Sequence, residues 1–160
     1  PLFPFDRFDI KSDMIPVFRN TWKYGTFPKN MIISWHQDGI FYARMGMAKE
    51  AYEYQKEKLK DSKLRFPTFW GPGHDWVPDH NQGGSGMTGL QEMLLQTIGN
   101  KIYVLPAWPE GKDVRFKLHA PDNTTIEVEY INGKVEKCRV FPQSREKDVE
   151  VLIGNYDATV

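Results

Sequence analysis

The apolar residues of this chain change their spacing once, near Gly99-Asn100, and that change limits what the chain can fold into. Before it, they recur about every 3.6 residues, as on one face of a helix. After it, they alternate with polar residues, as on a strand buried on one side. A run of helices followed by a run of strands predicts an α+β chain, with helices over residues 1–100 and an antiparallel β-domain over 101–160.

Within the helical half, Pro4, Pro16, Gly25 and Pro28 leave room only for short helical pieces up to residue 33. Ser34 and Gln37 have the spacing of a capping box, which predicts a helix starting at Ser34 and running through Ile40, Phe41, Arg44 and Met45. Gly46 breaks it. A second helix is predicted from Met47 to Lys60, with Ala48, Ala51, Tyr52, Gln55 and Leu59 as its apolar stripe. A third carries Met87, Leu90, Met93, Leu94, Thr97 and Ile98 on one face, with Thr88 and Gln91 as its capping box. Gly99-Asn100 would end it in the left-handed conformation. Between the second and third helices, residues 64–84 are dense in Pro, Gly, Trp, His and Asp. Irregular segments of that length are functional or disordered, and Phe66, Phe69, Trp70 and Trp76 argue against disorder.

In the second half, Ile102–Leu105 reads as a strand stopped by Pro106. Val114, Phe116 and Leu118 alternate with charged residues, as do Ile126, Val128 and Tyr130. Asn132-Gly133 is the signal of a type I′ hairpin, from which Val135–Phe141 returns. Val149–Ile153 is a last strand. The pattern predicts one antiparallel sheet, wet on one face. Glu127 and Glu129 belong to that wet face rather than to a carboxylate pair. Cys138 reads as a small buried hydrophobe, and a lone cysteine says nothing of redox compartment.

Charge excludes some functions. The 21 basic and 21 acidic residues balance, so there is no electrostatic footprint for nucleic acid or an anionic membrane. No apolar run approaches the ~20 residues of a membrane span. The opening Pro1-Leu2-Phe3-Pro4-Phe5 places large apolar groups where free termini seldom carry them, and predicts a chain that begins within a longer one.

The run Gly89-Leu90-Gln91-Glu92-Met93-Leu94-Leu95-Gln96, followed by Ile102-Tyr103-Val104-Leu105-Pro106-Ala107-Trp108-Pro109 and Gly111, resembles the C-terminal end of the six-hairpin glycosidases. It is most similar to the inverting α-L-fucosidase family and its relatives. The likeness covers about residues 82–140, with Trp35–Leu59 similar to a barrel hairpin. The resemblance implies the closing helices of an (α/α)6 barrel followed by a small β-sandwich-like domain. It implies a glycoside or oligosaccharide substrate, the remainder of the same enzyme chain as partner, no metal or other cofactor, and export to the periplasm or outside. Inverting hydrolysis uses an acid on the leaving oxygen and a base on the opposite face, with carboxyls ~6.5–9.5 Å apart. The family's base lies just before the closing helix and its acid earlier in the chain. This chain would then hold the base region alone, supply one wall of the active site, and be inactive by itself.

The family's Asp-Gly-Asn-Phe-Gly run is matched here by Asp79-His80-Asn81-Gln82-Gly83-Gly84, which lies two residues farther from Glu92. Asp79 is the candidate base, while counting back from Glu92 puts Asn81 in that position. As a plain loop residue, Asp79 would bond neighbouring amides. Trp70 and Trp76 could stack on sugar rings or simply pin the long segment. His74, Asp75, Asp79 and His80 suit a divalent ion by type, but their spacing matches no zinc signature. Contacts of His74 and His80 to sugar hydroxyls are the reading taken here. His36 and Asp38 open a helix whose end would face the cleft, where they could touch substrate. Asp38 could equally do no more than favour the positive helix end. Gly83, Gly84 and Gly86 lack the Lys-Ser/Thr of a phosphate loop and instead allow close approach or a tight turn. The rival readings are a non-catalytic carbohydrate-binding module and a purely structural one.

Overall fold

The computed structural model describes residues 2–33, 35–60 and 80–153. The fold is α+β. The helices are α1 (Ile15–Tyr24), α2 (Asp38–Arg44), α3 (Ala48–Leu59) and α4 (His80–Leu94). The strands are β1 (Leu95–Ile98), β2 (Lys101–Val104), β3 (Val114–Ala120), β4 (Thr124–Ile131), β5 (Lys134–Phe141) and β6 (Val149–Val151).

The first helix of the predicted hairpin starts at Asp38, four residues later than the Ser34 capping box implies. Gln37 is its N-cap and makes no side-chain cap bond. Its other end is held from outside, because Arg19 of α1 donates through Nε and Nη2 to the Met45 carbonyl at 3.0 and 2.7 Å. Gly46 turns the chain with φ +69° into α3. The buried face of α3 is Ala48, Ala51, Tyr54, Gln55 and Lys58. Tyr52 and Leu59, assigned to the stripe from sequence, are only half-buried. Tyr52 meets Trp108 edge-on instead, at 6.0 Å between ring centroids.

The third predicted helix is displaced at both ends. It begins at His80, so Gly83, Gly84 and Gly86 lie within α4 rather than in a turn. It stops at Leu94, and the chain passes directly into β1. Leu95–Ile98 fits the helical period, but pairing decides otherwise: Leu95 opposes Val104 and Ile98 opposes Lys101 in an antiparallel hairpin. Gly99, at φ +55°, turns that hairpin instead of ending a helix. The carbonyls left open at the end of α4 are satisfied by the Leu-Pro-Ala segment. Leu105 donates its backbone N–H to Leu94 O at 2.8 Å, and Ala107 donates to Met93 O at 3.2 Å. The expected division at residue 100 therefore falls inside a hairpin turn.

The strands form two sheets of three, ordered β1-β2-β6 and β3-β4-β5, rather than one antiparallel sheet. The second is antiparallel throughout, and its Asn132-Gly133 turn has positive φ at both residues, as a type I′ turn requires. β6 departs from expectation: it returns to the first sheet and runs parallel to β2, with Ile102 opposite Val149. Alternation on β4 buries Thr124, Ile126, Val128 and Tyr130. Ile126, Val128 and Tyr130 join Met93, Leu94, Val104, Leu105, Trp108, Ala43 and Met45 in one hydrophobic cluster that spans helices and sheets. Truncating a fully buried member such as Met93 to Ala should cost roughly 2–5 kcal/mol.

Cys138 is exposed on β5, contrary to the buried reading. It sits on β5, where only Val140 is buried. Glu127 and Glu129 behave as the sequence suggests, sharing Lys137 at 3.1 and 3.5 Å.

Candidate functional site

The structure brings the loop before α2, the C-terminal end of α3 and the N-terminal end of α4 to one end of the helical layer. Three buried side chains make the junction. Tyr54 shares its one hydroxyl hydrogen between the Met31 carbonyl at 2.7 Å and, more weakly, the His36 carbonyl at 3.3 Å. Lys58, fully buried, donates from Nζ to the Ile32 carbonyl at 3.0 Å. Gln82, 1% exposed, donates from Nε2 to the Lys58 carbonyl at 3.0 Å. The loop of residues 30–37 is thereby fastened to α3, and α3 to α4.

Asp38 closes the same loop from the α2 side. Its Oδ2 accepts the Met31 backbone N–H at 3.3 Å. Burial pushes its carboxyl above the ordinary aspartate range, against the opposing pull of backbone N–H bonds from Asn30 and Met31 and the charges of His36 and Lys58. Tyr42 adds a further tie, donating to Asn30 Oδ1 at 2.5 Å. The Tyr54 hydroxyl is also raised, first by burial and then by the Asp38 charge.

Of the residues singled out from sequence, Asp38 is therefore buried within the loop anchor. His36 is half-buried and lies flat against Trp35, with ring centroids 4.6 Å apart and planes at 19°. Asn81 is exposed on the first turn of α4, and its carbonyl accepts the Ser85 hydroxyl at 2.6 Å. His80 is described only as the first residue of α4. Trp70, His74, Trp76 and Asp79 lie outside the described residues, as does Asp75.

Tyr54, Lys58 and Gln82 were not singled out from sequence as site residues. Ala51, Tyr54, Gln55 and Lys58 do have the spacing of one helical face, but a lysine on that face reads as solvent-facing. Its burial follows only from the loop carbonyl that it meets.

One cleft borders this region, and another lies at the far end of α4. The first, of about 460 Å³, is lined by Asn30, Ile32, Tyr42, Tyr54 and the α3 carboxylates Glu50, Glu53 and Glu57. The other, of about 310 Å³, lies between Glu92 and Thr97 on one side and Lys117 and His119 on β3. Among the described residues, no group of three or more His, Cys, Asp or Glu could hold a metal ion. None of their helices is long and apolar enough to cross a membrane.

The glycines of α4 permit its close approach to α3. A Cβ at Gly86 would come within 2.6 Å of Leu59 Cδ2, and one at Gly89 within 1.7 Å of Gln55 Nε2. Gly39 on α2 faces the same Gln55 Nε2 at 2.2 Å. The helix ends that carry the candidate residues can converge because these positions have no side chain. In comparison with known proteins, no family model matches the chain, and no curated protein matches it in sequence.

Proposed function

We propose that this chain is part of a glycoside hydrolase, acting with inversion, and that it supplies one wall of the sugar cleft. The supporting observation is the meeting of three segments at one end of the helical layer, held by Tyr54, Lys58 and Gln82. His36 and Asp38 lie on one of these segments and Asn81 on another. The α3 and α4 ends at this junction are also those from which the aromatic, His- and Asp-rich residues 64–79 depart and return. Polar and aromatic residues next to a rigid framework are the usual make-up of a ligand site.

In this reading Asp79 or Asn81 holds the position that activates water, and Trp70, His74, Trp76 and His80 contact the sugar. The closing helices belong to an (α/α)6 barrel, and the two sheets form its sandwich-like appendage. The acid that protonates the leaving oxygen comes from elsewhere in the enzyme. The chain alone therefore binds glycosides without turning them over.

The test is an aryl-glycoside assay of the 160-residue chain, α-fucosides first, beside a binding titration. Binding without turnover, weakened by Trp70→Ala or Trp76→Ala, is the expected result. Turnover abolished by Asp79→Asn would place the acid within the chain and overturn the division of labour. Absence of any glycoside binding would favour the structural role.

A further inference from the structure

A single exposed apolar side chain is ordinary on a protein surface. Trp35 is distinguished by how it is mounted. It is 63% exposed, yet its indole lies nearly parallel to the His36 imidazole. One face of the indole is covered by that ring, and its orientation is thereby fixed. The loop beneath is fixed too. The carbonyls of Met31, Ile32 and His36 are each engaged by Tyr54 or Lys58, and the Met31 N–H by Asp38. Asp38, Tyr54 and Lys58 are all buried to hold a short surface loop. Burying a carboxylate and an ammonium is costly. Here the cost goes into the rigidity of a loop whose outer side presents a flat aromatic surface. Rigid presentation of an aromatic face lowers the ordering cost of binding.

We infer that Trp35 is a stacking platform for the apolar C–H face of a pyranose ring, with His36 as its backing. This rests on the glycoside reading above and adds a subsite to it. A flat sugar face presents several polarised C–H bonds in one plane, and the electron-rich indole face is complementary to them. The same loop contributes Asn30 and Ile32 to the 460 Å³ cleft, whose other walls bring the Tyr42 and Tyr54 rings and three carboxylates. A sugar on Trp35 would therefore lie on the loop that also walls a space rich in hydroxyl and carboxylate oxygens, the partners that sugar hydroxyls use. Aromatic stacking beside carboxylates suits a neutral hexose or deoxyhexose rather than an anionic sugar.

The experiment is a titration of the whole chain with methyl α-L-fucopyranoside, methyl α-D-glucopyranoside and methyl β-D-galactopyranoside. It is followed by the indole N–H resonances of the five tryptophans. Trp35→Phe assigns the relevant resonance. Saturable displacement of the Trp35 signal by at least one glycoside is expected. Trp35→Ala should weaken that binding about tenfold, while Trp35→Tyr retains most of it. Thermal unfolding of Trp35→Ala should stay close to that of the unsubstituted chain, since most of the indole is exposed.

Equal affinity in Trp35→Ala, with shifts confined to other tryptophans, would overturn the platform and leave the glycoside reading standing. A chain that binds none of the three sugars would overturn both.

Discussion

Arg44 grips Glu92 side-on: its Nε lies 2.6 Å from one carboxylate oxygen and its Nη2 2.9 Å from the other, joining α2 to α4. Asp6 approaches the same Nη2 at 3.1 Å from the N-terminal segment. Arg44 is 5% exposed at its side chain and Glu92 13%. Removing one member of such a pair leaves the other buried without compensation, so Arg44→Met should destabilise the chain by about 3–5 kcal/mol. Urea unfolding at neutral pH measures it, and a loss below about 1 kcal/mol would mean that the pair behaves as an exposed one.

The same pair sets a pH dependence. Burial raises the Glu92 carboxyl above the ordinary glutamate range, and the opposing pull of Arg44 does not cancel it. Asp38 is raised for the same first cause. A raised carboxyl binds its proton more tightly in the folded state than in the unfolded one. Its contribution is full below the unfolded value and is lost as pH rises through the folded value. Over that window Glu92 and Asp38 should therefore make the chain lose stability as pH increases. Glu92→Gln should flatten its share of the slope in urea midpoints measured across mildly acidic pH. A steeper slope in Glu92→Gln would contradict the assignment.

Tyr54→Phe deletes the hydroxyl that serves the Met31 and His36 carbonyls. The ring stays, so packing is nearly preserved, and the loss is that of a buried donor, about 1–2 kcal/mol. The loop of residues 30–37 should loosen with it. Faster amide exchange in that loop than in β4 is the specific signature, and uniform change across the chain would refute a local role.

Gln55 lies between Gly39 and Gly89, and among the described residues neither its Oε1 nor its Nε2 finds a hydrogen-bond partner. Gly89→Ala should destabilise by about 1–3 kcal/mol through overlap with Gln55. Combining it with Gln55→Ala should restore much of the loss, a non-additivity that a double-mutant cycle reads directly. Gln55→Met, which removes two unpaired buried polar atoms, should be neutral or stabilising. Full additivity of Gly89→Ala and Gln55→Ala would show that the glycine serves some other contact.

Cys138 is accessible but not activated. Local burial pushes its thiol up, and the Glu146 charge adds to that. Alkylation at neutral pH should be slower than for a free cysteine, because the thiolate is the nucleophile. Glu146→Gln should speed it modestly. A rate above that of free cysteine would reverse the assignment.

Much of the α+β division was legible because it rests on periodicity. The Asn132-Gly133 hairpin, the alternation on β4 and the Gly46 break needed no tertiary information. Leu95–Ile98 was misread because Leu94, Thr97 and Ile98 fit a helical face as well as they fit a strand, and only pairing with Lys101–Val104 distinguishes the two. β6 was recognisable as a strand but not as a parallel partner of β2, since register across a long excursion leaves no local mark. At the candidate site, His36 and Asp38 stood out by their place at a helix start, and Asn81 by its spacing from Glu92 in the glycosidase resemblance. Lys58 and Tyr54 did not, because their role depends on loop carbonyls distant in sequence, from His36 back to Met31. Cys138 was assigned to the core because short apolar side chains on strands are most often inside.

The parallel pairing of β2 with β6 has a consequence for how the molecule comes apart. Lys11 reaches Glu150 beside it at 2.5 Å, and Tyr103 on β2 donates its hydroxyl to Asp9 at 2.8 Å. The first dozen residues and the last strand thus buckle onto the same short ladder, with the second sheet hanging between as a closed excursion. A protease that nicks the exposed Asn132-Gly133 turn should leave two pieces still clasped, co-migrating until denaturant parts them. Scissors applied at residue 101, by contrast, would cut through the buckle itself. The second piece would keep β2 and β6 while β1 stays with the first, and the Leu105 and Ala107 donors that close the end of α4 would lie on the other piece.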